Sequence, residues 1–338
     1  IHKTLAEKSG SISALWEPIL IFAAPNKFFS MISRRNIRVK VMQLLYVLET
    51  LEDNTAIKDP VKALQQQFDK SEALFTYIIY FLTEICRFAE TDARNRASKN
   101  LPSAADMNVN TRIAGNTVLW QILEYGSYQQ AVETHNIPSL LDRELVKKLY
   151  NELIEKKEYQ LYTVAEGREK NKERDILKFI LNDIMFASEL WEAHIEELFN
   201  NWEDDGEMLA QMIAAFIQKP DAYNLQQMLG KEKWDFGRNL LTTVREKHDV
   251  TLDIIKPKLK NWDPERIAVL DMILMRMGVC EFLFFETIPP KVTINEYLEL
   301  AKEYSTPKSS LFINGILDNL VKEFQTNGKM KKAGRGLL

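Results

Sequence analysis

The sequence predicts an all-α protein with a sizeable core. Glycine and proline are scarce, at 12 and 11 of 338 residues, and apolar residues make up 46% of the chain. The apolar residues recur at the three- and four-residue spacing of amphipathic helices and do not alternate as they would in half-buried strands. A chain of this length can bury a large core, as one large domain or two ordinary ones.

Charge, cysteines and missing motifs exclude several function classes. The net charge is −4, so any site for a polyanion must be local. Cys86 and Cys280 lie in apolar surroundings without a CxxC pair, which is typical of reduced core cysteines in a cytoplasmic protein. The sequence contains no P-loop, GxSxG, GxGxxG or HExxH motif and no apolar stretch of membrane-spanning length. We therefore expect no enzyme activity, no metal, no cofactor and no membrane span.

Residues 1–30 are interpreted as an extension, with Met31 as the natural start. The apolar run LWEPILIFAA is short and is interrupted by Glu17 and Pro18, which makes a cleaved secretion signal the weaker interpretation. Beyond Met31, Ser33 is predicted to cap a first helix.

The rest of the chain divides into four predicted segments. A long helix is expected from Pro60 to Ala97, and the charged stretch Ala165–Asp175 lacks large apolar residues, as a domain boundary would. The segments are an N-terminal helical lobe over 31–165, an inserted helical unit over 166–232, a C-terminal helical core over 233–325 and a basic flexible tail over 326–338.

An internal echo joins two of these segments. Asp175–Trp202 and Asp235–Trp262 have the same length, and each ends in Asn-Trp followed by an acid. The echo indicates either duplication of a helix-pair unit or a coincidence of two amphipathic patterns.

The first helix begins with an unusual cluster of cations. Arg34, Arg35, Arg38 and Lys40 are followed by no acid until Glu49. Cations at a helix start oppose the macrodipole by about 0.3–1 kcal/mol each. A bound phosphate would reverse that penalty, because exposed helix N–H groups and guanidinium groups both favour an anion. The alternative is a solvated helix start with nothing bound.

A second anion-binding candidate is the corner between two predicted helices. Thr293 and Glu296 have the spacing of a capping box, and Thr306-Pro307 is expected to open the next helix. Gly315 in that helix indicates a close approach of another helix. The corner contains five residues with hydrogen-bond donors: Ser305, Thr306, Lys308, Ser309 and Ser310. An ordinary capped helix pair with a solvated loop is the alternative.

Two further charge runs stand out. The tail carries Lys329, Lys331, Lys332 and Arg335 without an acid, so we expect it to be disordered and to contact RNA non-specifically. The stretch 189–207 holds eight acids and no Lys or Arg. It would repel nucleic acid and could face a basic protein, or it is only a solvated face.

Three stretches resemble the NusB family of all-helical, RNA-binding transcription antitermination factors. The C-terminal signature IPPKVTINEYLELAKEYSTPKSSLFINGILDNL, the preceding NWDPERIAVLDMILMRMGVCEFLFFETIPPKV and the arginine-rich SRRNIRVKVMQLLYVLE carry the resemblance. It covers about Lys233 to Phe324 plus the first helix. The roughly 130 residues between Ala93 and Lys231 have no counterpart in compact members and look like the insertion of an extended subgroup.

The resemblance implies an RNA-binding NusB-like bundle that acts with the small-subunit ribosomal protein NusE. The expected RNA is the boxA-type element of ribosomal RNA transcripts, within an RNA polymerase antitermination complex. By position, the resemblance assigns RNA contact to Arg34, Arg35, Arg38, Lys40, Tyr46, Tyr304, Lys308 and Ser309, and contact with NusE to Asp271 and Arg276. Compact members often have an acid at the position of Lys308 and a basic residue at that of Leu311, so the contact charge differs here.

Other functions remain open at this point. A helical scaffold that binds proteins without specific RNA contact, or a factor in ribosomal RNA maturation, would use the same fold. A ribosomal RNA methyltransferase also contains this fold, but no methyltransferase motif follows it in this sequence.

Overall fold

The computed structural model describes residues 32–51, 57–259, 267–306 and 308–333. Within these ranges the chain forms fifteen α-helices, short 3-10 turns and one π-helical turn, and no described residue lies in a strand. The all-α prediction is confirmed. No helix in the described ranges is both long enough and apolar enough to cross a membrane.

The chain folds into two compact units. Residues 69–228 form one, here called the central unit, and residues 32–68 with 229–333 form the other, the terminal unit. Helix α2 (Pro60–Ala97) has the bounds that the sequence predicts, and the division between the units falls within it. The units divide again between residues 228 and 229, near the predicted boundary at 232, whereas the predicted boundary at 165 lies inside the central unit. Residues 1–31 lie outside the described ranges.

The terminal unit is built around one apolar helix. Besides the first part of α2, its helices are α1 (Arg34–Thr50), α11 (Lys231–Glu246), α12 (His248–Ile255), α13 (Val269–Phe284), α14 (Pro290–Tyr304) and α15 (Ser309–Thr326), and α13 is the apolar one. Helix α13 packs against all five of the others, and every residue from Ile273 to Phe282 is buried. A helix that is apolar all round is typical of the interior of a domain.

A glycine permits a close helix approach in this unit, but at a different position from the predicted one. A Cβ atom added at Gly278 of α13 would lie 3.0 Å from Leu317 Cδ2 of α15, so a larger residue there would force the Leu317 side chain to shift. At Gly315 nothing lies within 4 Å of an added Cβ. The expectation of a close contact at Gly315 is wrong, because the stripe of α15 buries Ile316 and Leu317 while Gly315 faces outward.

The central unit holds the remaining helices. They are α3 (Ala104–Met107), α4 (Thr117–Leu123), α5 (Gly126–Thr134), α6 (Arg143–Glu155), α7 (Lys157–Val164), α8 (Lys170–Phe179), α9 (Glu189–Leu198) and α10 (Trp202–Gln218). An aromatic cluster lies inside, where the fully buried Trp191 stacks on Tyr77 with ring centroids 6.1 Å apart.

The charged stretch 165–175 is hydrogen-bonded into the interior of this unit. Glu173 is fully buried, and its carboxylate accepts bonds from the Thr117 backbone N–H at 2.7 Å and the Tyr162 hydroxyl at 2.9 Å. Arg168 adds an ion pair to Glu173 at 3.2 Å and donates to the Gly115 carbonyl. These contacts tie the stretch to the start of α4, which explains why it is not a linker between compact units.

The two echoing segments both form helix pairs. Helix α8 continues through a π-helical turn, Ile180–Met185, to a break before α9, while α11 runs unbroken until the break before α12. Trp202 is buried at the start of α10, with its ring 5.8 Å from that of Phe186. The matching Trp262 lies outside the described residues, so the duplication stays a prediction.

The sequence predicts a disordered tail, but up to residue 333 the tail is hydrogen-bonded to the rest of the terminal unit. Gly328 has a left-handed φ of 65°, and the Lys329 N–H donates back to the Phe324 carbonyl at 3.1 Å, a turn that reverses the chain after α15. Lys332 Nζ then donates to the carbonyls of Glu281 and Phe285, each at 2.8 Å. The tail is thereby bonded to the C-terminal end of α13.

Candidate nucleic-acid interface

The start of α1 is capped as the sequence predicts. Ser33 Oγ accepts a hydrogen bond from the Asn36 backbone N–H at 3.2 Å. The side chains of Arg34 and Arg35 are each 39% exposed and reach outward from the first turn. The first turn contains no acid, so these cations are held by residues of other helices.

Arg34 and Arg35 each form an exposed ion pair. Arg34 Nη2 lies 2.6 Å from Glu232 Oε1, and its guanidinium lies over the Phe236 ring at 5.4 Å from the centroid. Arg35 Nη2 lies 2.8 Å from Glu303 Oε2 near the end of α14. Because α14 leads into the corner before α15, the Arg35 pair places the start of α1 beside that corner.

Arg38 lies in the core. Only 2% of the residue is exposed, and its Nε and Nη2 bind the two oxygens of Glu281 at 2.7 and 3.1 Å. Its Nη1 binds Glu296 at 3.2 Å. Burial alone would lower the pKa of Arg38, but the Glu281 carboxylate raises it above its ordinary value, so the guanidinium stays charged. The expectation that Arg38 meets an RNA phosphate conflicts with this burial.

Glu281 is the centre of a buried polar network. Its carboxylate also accepts bonds from the Thr293 hydroxyl at 2.9 Å and the Tyr297 hydroxyl at 2.8 Å. Burial, followed by the nearby Glu281, raises the pKa of Tyr297 well above its ordinary value, so the phenol remains a donor.

This network explains why the predicted capping box is wrong. Helix α14 starts at Pro290, and its N-cap Pro289 makes no side-chain bond. Thr293 and Glu296 are therefore one turn inside the helix, where they bind Glu281 and Arg38 instead of the helix start.

The hydroxyls of Ser305 and Ser309 at the corner bind an acid of α13. Ser305 Oγ donates to Asp271 Oδ1 at 2.6 Å, and Ser309 Oγ donates to Asp271 Oδ2 at 2.8 Å. The Thr306 hydroxyl lies 2.8 Å from Ser309 Oγ. The serine-rich sequence thus binds a protein carboxylate, and Ser309 is 4% exposed, which conflicts with a direct RNA contact.

Lys308 remains as the exposed cation of the corner. It is the N-cap residue of α15, whose helix begins at Ser309, and no side chain caps that helix start. The preceding Pro307, expected to open the helix, lies outside the described residues. Tyr304 and Tyr46 are half-buried.

Three more predicted contact residues are buried. Lys40 is 3%, Asp271 is 6% and Arg276 is 1% exposed. Arg276 forms an ion pair with Glu49 and donates to the Val244 carbonyl at 3.0 Å, while Asp271 holds the corner serines. The expectation that Asp271 and Arg276 face a protein partner conflicts with these internal bonds.

The sequence reasoning missed Glu281 and Phe236. Glu281 is an acid inside the apolar run Met272–Phe285, a pattern that indicates a buried charge with a partner. Phe236 lies under both Arg34 and Arg38, at 5.4 and 5.3 Å from its centroid, and packs edge-on against Phe285. Nothing in the pattern around Phe236 distinguishes it from an ordinary core residue.

The terminal unit is an all-helical bundle, and the exposed arginines at the start of α1 lie beside the corner between α14 and α15. The family model described as NusB family matches residues 197–322. The chain is 40% identical over 105 residues to the "Transcription antitermination protein NusB" of Finegoldia magna, an alignment that covers 31% of this chain and 77% of the relative. The chain belongs to the NusB family.

Two other relatives bear the same name. The protein of Salinibacter ruber is 39% identical over 104 residues, covering 31% of this chain and 65% of the relative. That of Chloroherpeton thalassium is 50% identical over 78 residues, covering 23% of this chain and 37% of the relative. The chain thus spans less than two thirds of each of these two. No solved structure matches significantly.

Proposed function

We propose that this protein is an RNA-binding transcription antitermination factor. It would act with ribosomal protein NusE on boxA-type RNA of ribosomal RNA transcripts, as part of an RNA polymerase antitermination complex in the cytoplasm. Membership of the NusB family and the names of its relatives support the antitermination role. NusE and boxA-type RNA follow from the resemblance of the sequence to that family.

The contact between Arg35 and Glu303 carries the proposal. It brings the exposed arginines of α1 to the corner that presents Lys308, so the two predicted halves of the RNA site lie on one unit. Exposed ion pairs contribute only about 0–1 kcal/mol, so an RNA phosphate can replace Glu232 or Glu303 at little cost. Guanidinium groups bind phosphate oxygens with two parallel bonds.

The structure narrows the residues we propose as contacts. Arg34, Arg35, Tyr46, Tyr304 and Lys308 are accessible and would meet RNA. The buried residues would have a positioning role: Arg38 would hold α1, Ser309 and Asp271 would hold the corner, and Arg276 would fix α13 against α1.

Filter binding tests the proposal directly. The full chain is titrated against a boxA RNA and a scrambled RNA of equal length, each with and without NusE, at several salt concentrations. We expect tighter binding to boxA than to the scrambled RNA, and a larger difference when NusE is present. Equal affinity for both RNAs, with and without NusE, contradicts the proposal.

A protein-binding scaffold is the second candidate, and one surface favours it. Seven acids of α9 and α10 are exposed: Glu189, Glu192, Glu196, Glu197, Glu203, Asp204 and Glu207. This acidic face of the central unit suits a basic protein and disfavours RNA. A chain that binds NusE but does not distinguish boxA from the scrambled RNA would support the scaffold.

A further inference from the structure

A cavity of about 420 Å³ opens on the surface of the central unit. Its walls are formed by the end of α4 and the residues after it, the first half of α8, and the turn that follows α10. Small-molecule sites commonly measure about 300–1,000 Å³, so the cavity is large enough for a compact organic ligand. None of the residues proposed to contact RNA lines it.

Three cations line this cavity without a carboxylate partner. Lys170, Arg174 and Lys219 form no ion pair within the part of the chain that the structure describes. Lys170 and Arg174 are four residues apart on α8, and like charges at that spacing destabilise a helix. By contrast Lys172, on the same helix but outside the cavity lining, pairs with Glu169 at 3.1 Å. An anion in the cavity would relieve the repulsion on that side of α8.

The guanidinium of Arg174 has unused donors. It carries five N–H groups, but within the described ranges its side chain makes one hydrogen bond, from Nη1 to Asn171 Oδ1 at 3.4 Å. Its Nε is buried and has no hydrogen-bond partner, whereas buried polar groups nearly always have one. A guanidinium can give two parallel hydrogen bonds to a phosphate. Arg174 is therefore available to bind an anion.

Two carboxylates line the same cavity but are held apart from the cations. Glu124 follows α4, and Asp221 lies in the 3-10 turn Pro220–Ala222. Neither forms an ion pair with a described residue. Opposite charges that share a cavity without pairing leave room for a ligand between them. Such a ligand would present an anion to the cations and hydroxyl or amino donors to the carboxylates.

The walls are held in place by internal bonds. Tyr125 lies in the lining, and its hydroxyl donates to the Tyr223 carbonyl at 2.7 Å. Helix α8 is joined to α4 by the bond from the Thr117 N–H to Glu173 at 2.7 Å. The ring of Tyr125 and the buried Pro220 supply apolar surface against which a flat ring can pack. A preformed cavity with a few convergent polar groups is the usual form of a small-molecule site.

We propose that this cavity binds a nucleoside monophosphate. A phosphate monoester carries a charge of about −1.5 to −2 at pH 7, which suits the cluster of Lys170, Arg174 and Lys219. The ribose hydroxyls and the amino group of the base would donate to the two carboxylates, and the base would pack against Tyr125. Inorganic phosphate would use the cations alone and bind more weakly. The site belongs to the central unit and does not depend on the proposed RNA interface of the terminal unit.

Equilibrium dialysis of the full chain tests binding, with AMP, GMP, CMP and UMP as probes beside inorganic phosphate. We expect saturable binding of at least one nucleotide with a Kd below about 100 µM, and binding of inorganic phosphate at least about tenfold weaker. Lys170→Ala/Arg174→Ala should weaken nucleotide binding at least about tenfold, whereas the control Lys172→Ala should leave it unchanged. Absence of saturable binding of all four nucleotides up to about 1 mM overturns the proposal.

The carboxylates are tested by their effect on selectivity. Glu124→Gln/Asp221→Asn, with folding verified by circular dichroism, should weaken nucleotide binding at least about threefold without weakening that of inorganic phosphate. A loss that is equal for both ligands, or no loss for the nucleotide, overturns the assignment of the carboxylates to the ribose and base.

Footprinting of the wild type tests the location without any variant. Lysines are acetylated with an N-hydroxysuccinimide ester and followed by site-resolved mass spectrometry. Bound nucleotide should slow the reaction of Lys170 and Lys219 at least about threefold and leave Lys172 unaffected. Equal rates with and without nucleotide overturn the site. A single-stranded RNA without a terminal phosphate is the comparison. Protection by this RNA and by no nucleotide would assign the cavity to RNA and overturn the proposal.

Discussion

Arg38 on α1 and Glu281 on α13 form a buried ion pair with two bonds, Nε to Oε1 at 2.7 Å and Nη2 to Oε2 at 3.1 Å. The Arg38 side chain is 3% exposed and that of Glu281 is fully buried. The pair fixes the arginine-rich helix to the central helix of the terminal unit. Arg34 and Arg35, one turn earlier, are thereby held at the surface.

Breaking this pair should destabilise the protein strongly. Arg38→Met leaves the Glu281 carboxylate buried without its cation, and Glu281→Gln leaves Arg38 with only the more exposed Glu296 as its anion. Removing one partner of a buried pair costs about 3–5 kcal/mol. Urea unfolding should show a loss of this size for each single variant and a double variant that costs less than the sum. Losses under about 1 kcal/mol would mean that the pair is solvated in solution.

Local patterns in the sequence predict much of the fold because they act over a few residues. Ser33 binds an N–H three positions along, and the helical spacing in α2 extends without interruption from Pro60 to Ala97. The start of α14 could not be predicted in this way, since Thr293 and Glu296 have the spacing of a capping box but serve the network of Glu281.

The candidate site also depends on contacts that local sequence patterns cannot predict. The cationic start of α1 is visible in the sequence, but which arginines reach the surface is decided by Glu281, 243 residues after Arg38. Likewise, the donors of the corner are visible, whereas their acceptor Asp271 lies 34 residues before Ser305. Helical periodicity carries no information about partners this distant.

The double variant Arg34→Ala/Arg35→Ala should weaken RNA binding without unfolding the protein. For single-stranded RNA, removing one phosphate-binding cation flattens the slope of log K against log salt by about 0.7, so the double variant should change the slope by about 1.4. Arg238→Ala on α11, which removes an exposed arginine paired with Asp235, is the control and should leave the slope unchanged. An unaltered slope in the double variant would show that α1 does not contact the RNA.

Lys308→Glu should lower RNA affinity and leave stability almost unchanged. The residue is exposed at the start of α15, so the new carboxylate would repel phosphate but disturb no internal bond. Exposed substitutions of this kind usually change stability by no more than about 0.5 kcal/mol. Lys291→Glu, an exposed position at the start of α14, makes the same charge change as a control. Equal affinities of the two variants would place the corner outside the RNA site.

The docking of Lys332 should strengthen as the pH rises above 8. Its pKa is about 8 in the folded chain and 10.5 for an ordinary lysine, so between these values the unfolded chain binds more protons. Stability rises with pH wherever the unfolded state binds more protons. The free energy of unfolding of the wild type, minus that of Lys332→Met, should increase from pH 8 to about 10.5 and stay level from pH 6 to 7. A difference that is level throughout contradicts the lowered pKa.

Trp202→Ala should destabilise the protein while sparing RNA contact. Trp202 is 5% exposed, and a Cβ atom added at Gly206 would lie 3.2 Å from its ring, so the indole is tightly enclosed in the central unit. Truncating such a side chain costs about 3–5 kcal/mol. Trp120→Ala, at a tryptophan that is 46% exposed, is the matched control and should cost clearly less. Chemical unfolding gives both costs, and boxA binding measured below the transition should stay near that of the wild type, because the proposed contacts belong to the terminal unit. Loss of RNA binding by folded Trp202→Ala would instead assign the central unit a part in recognition.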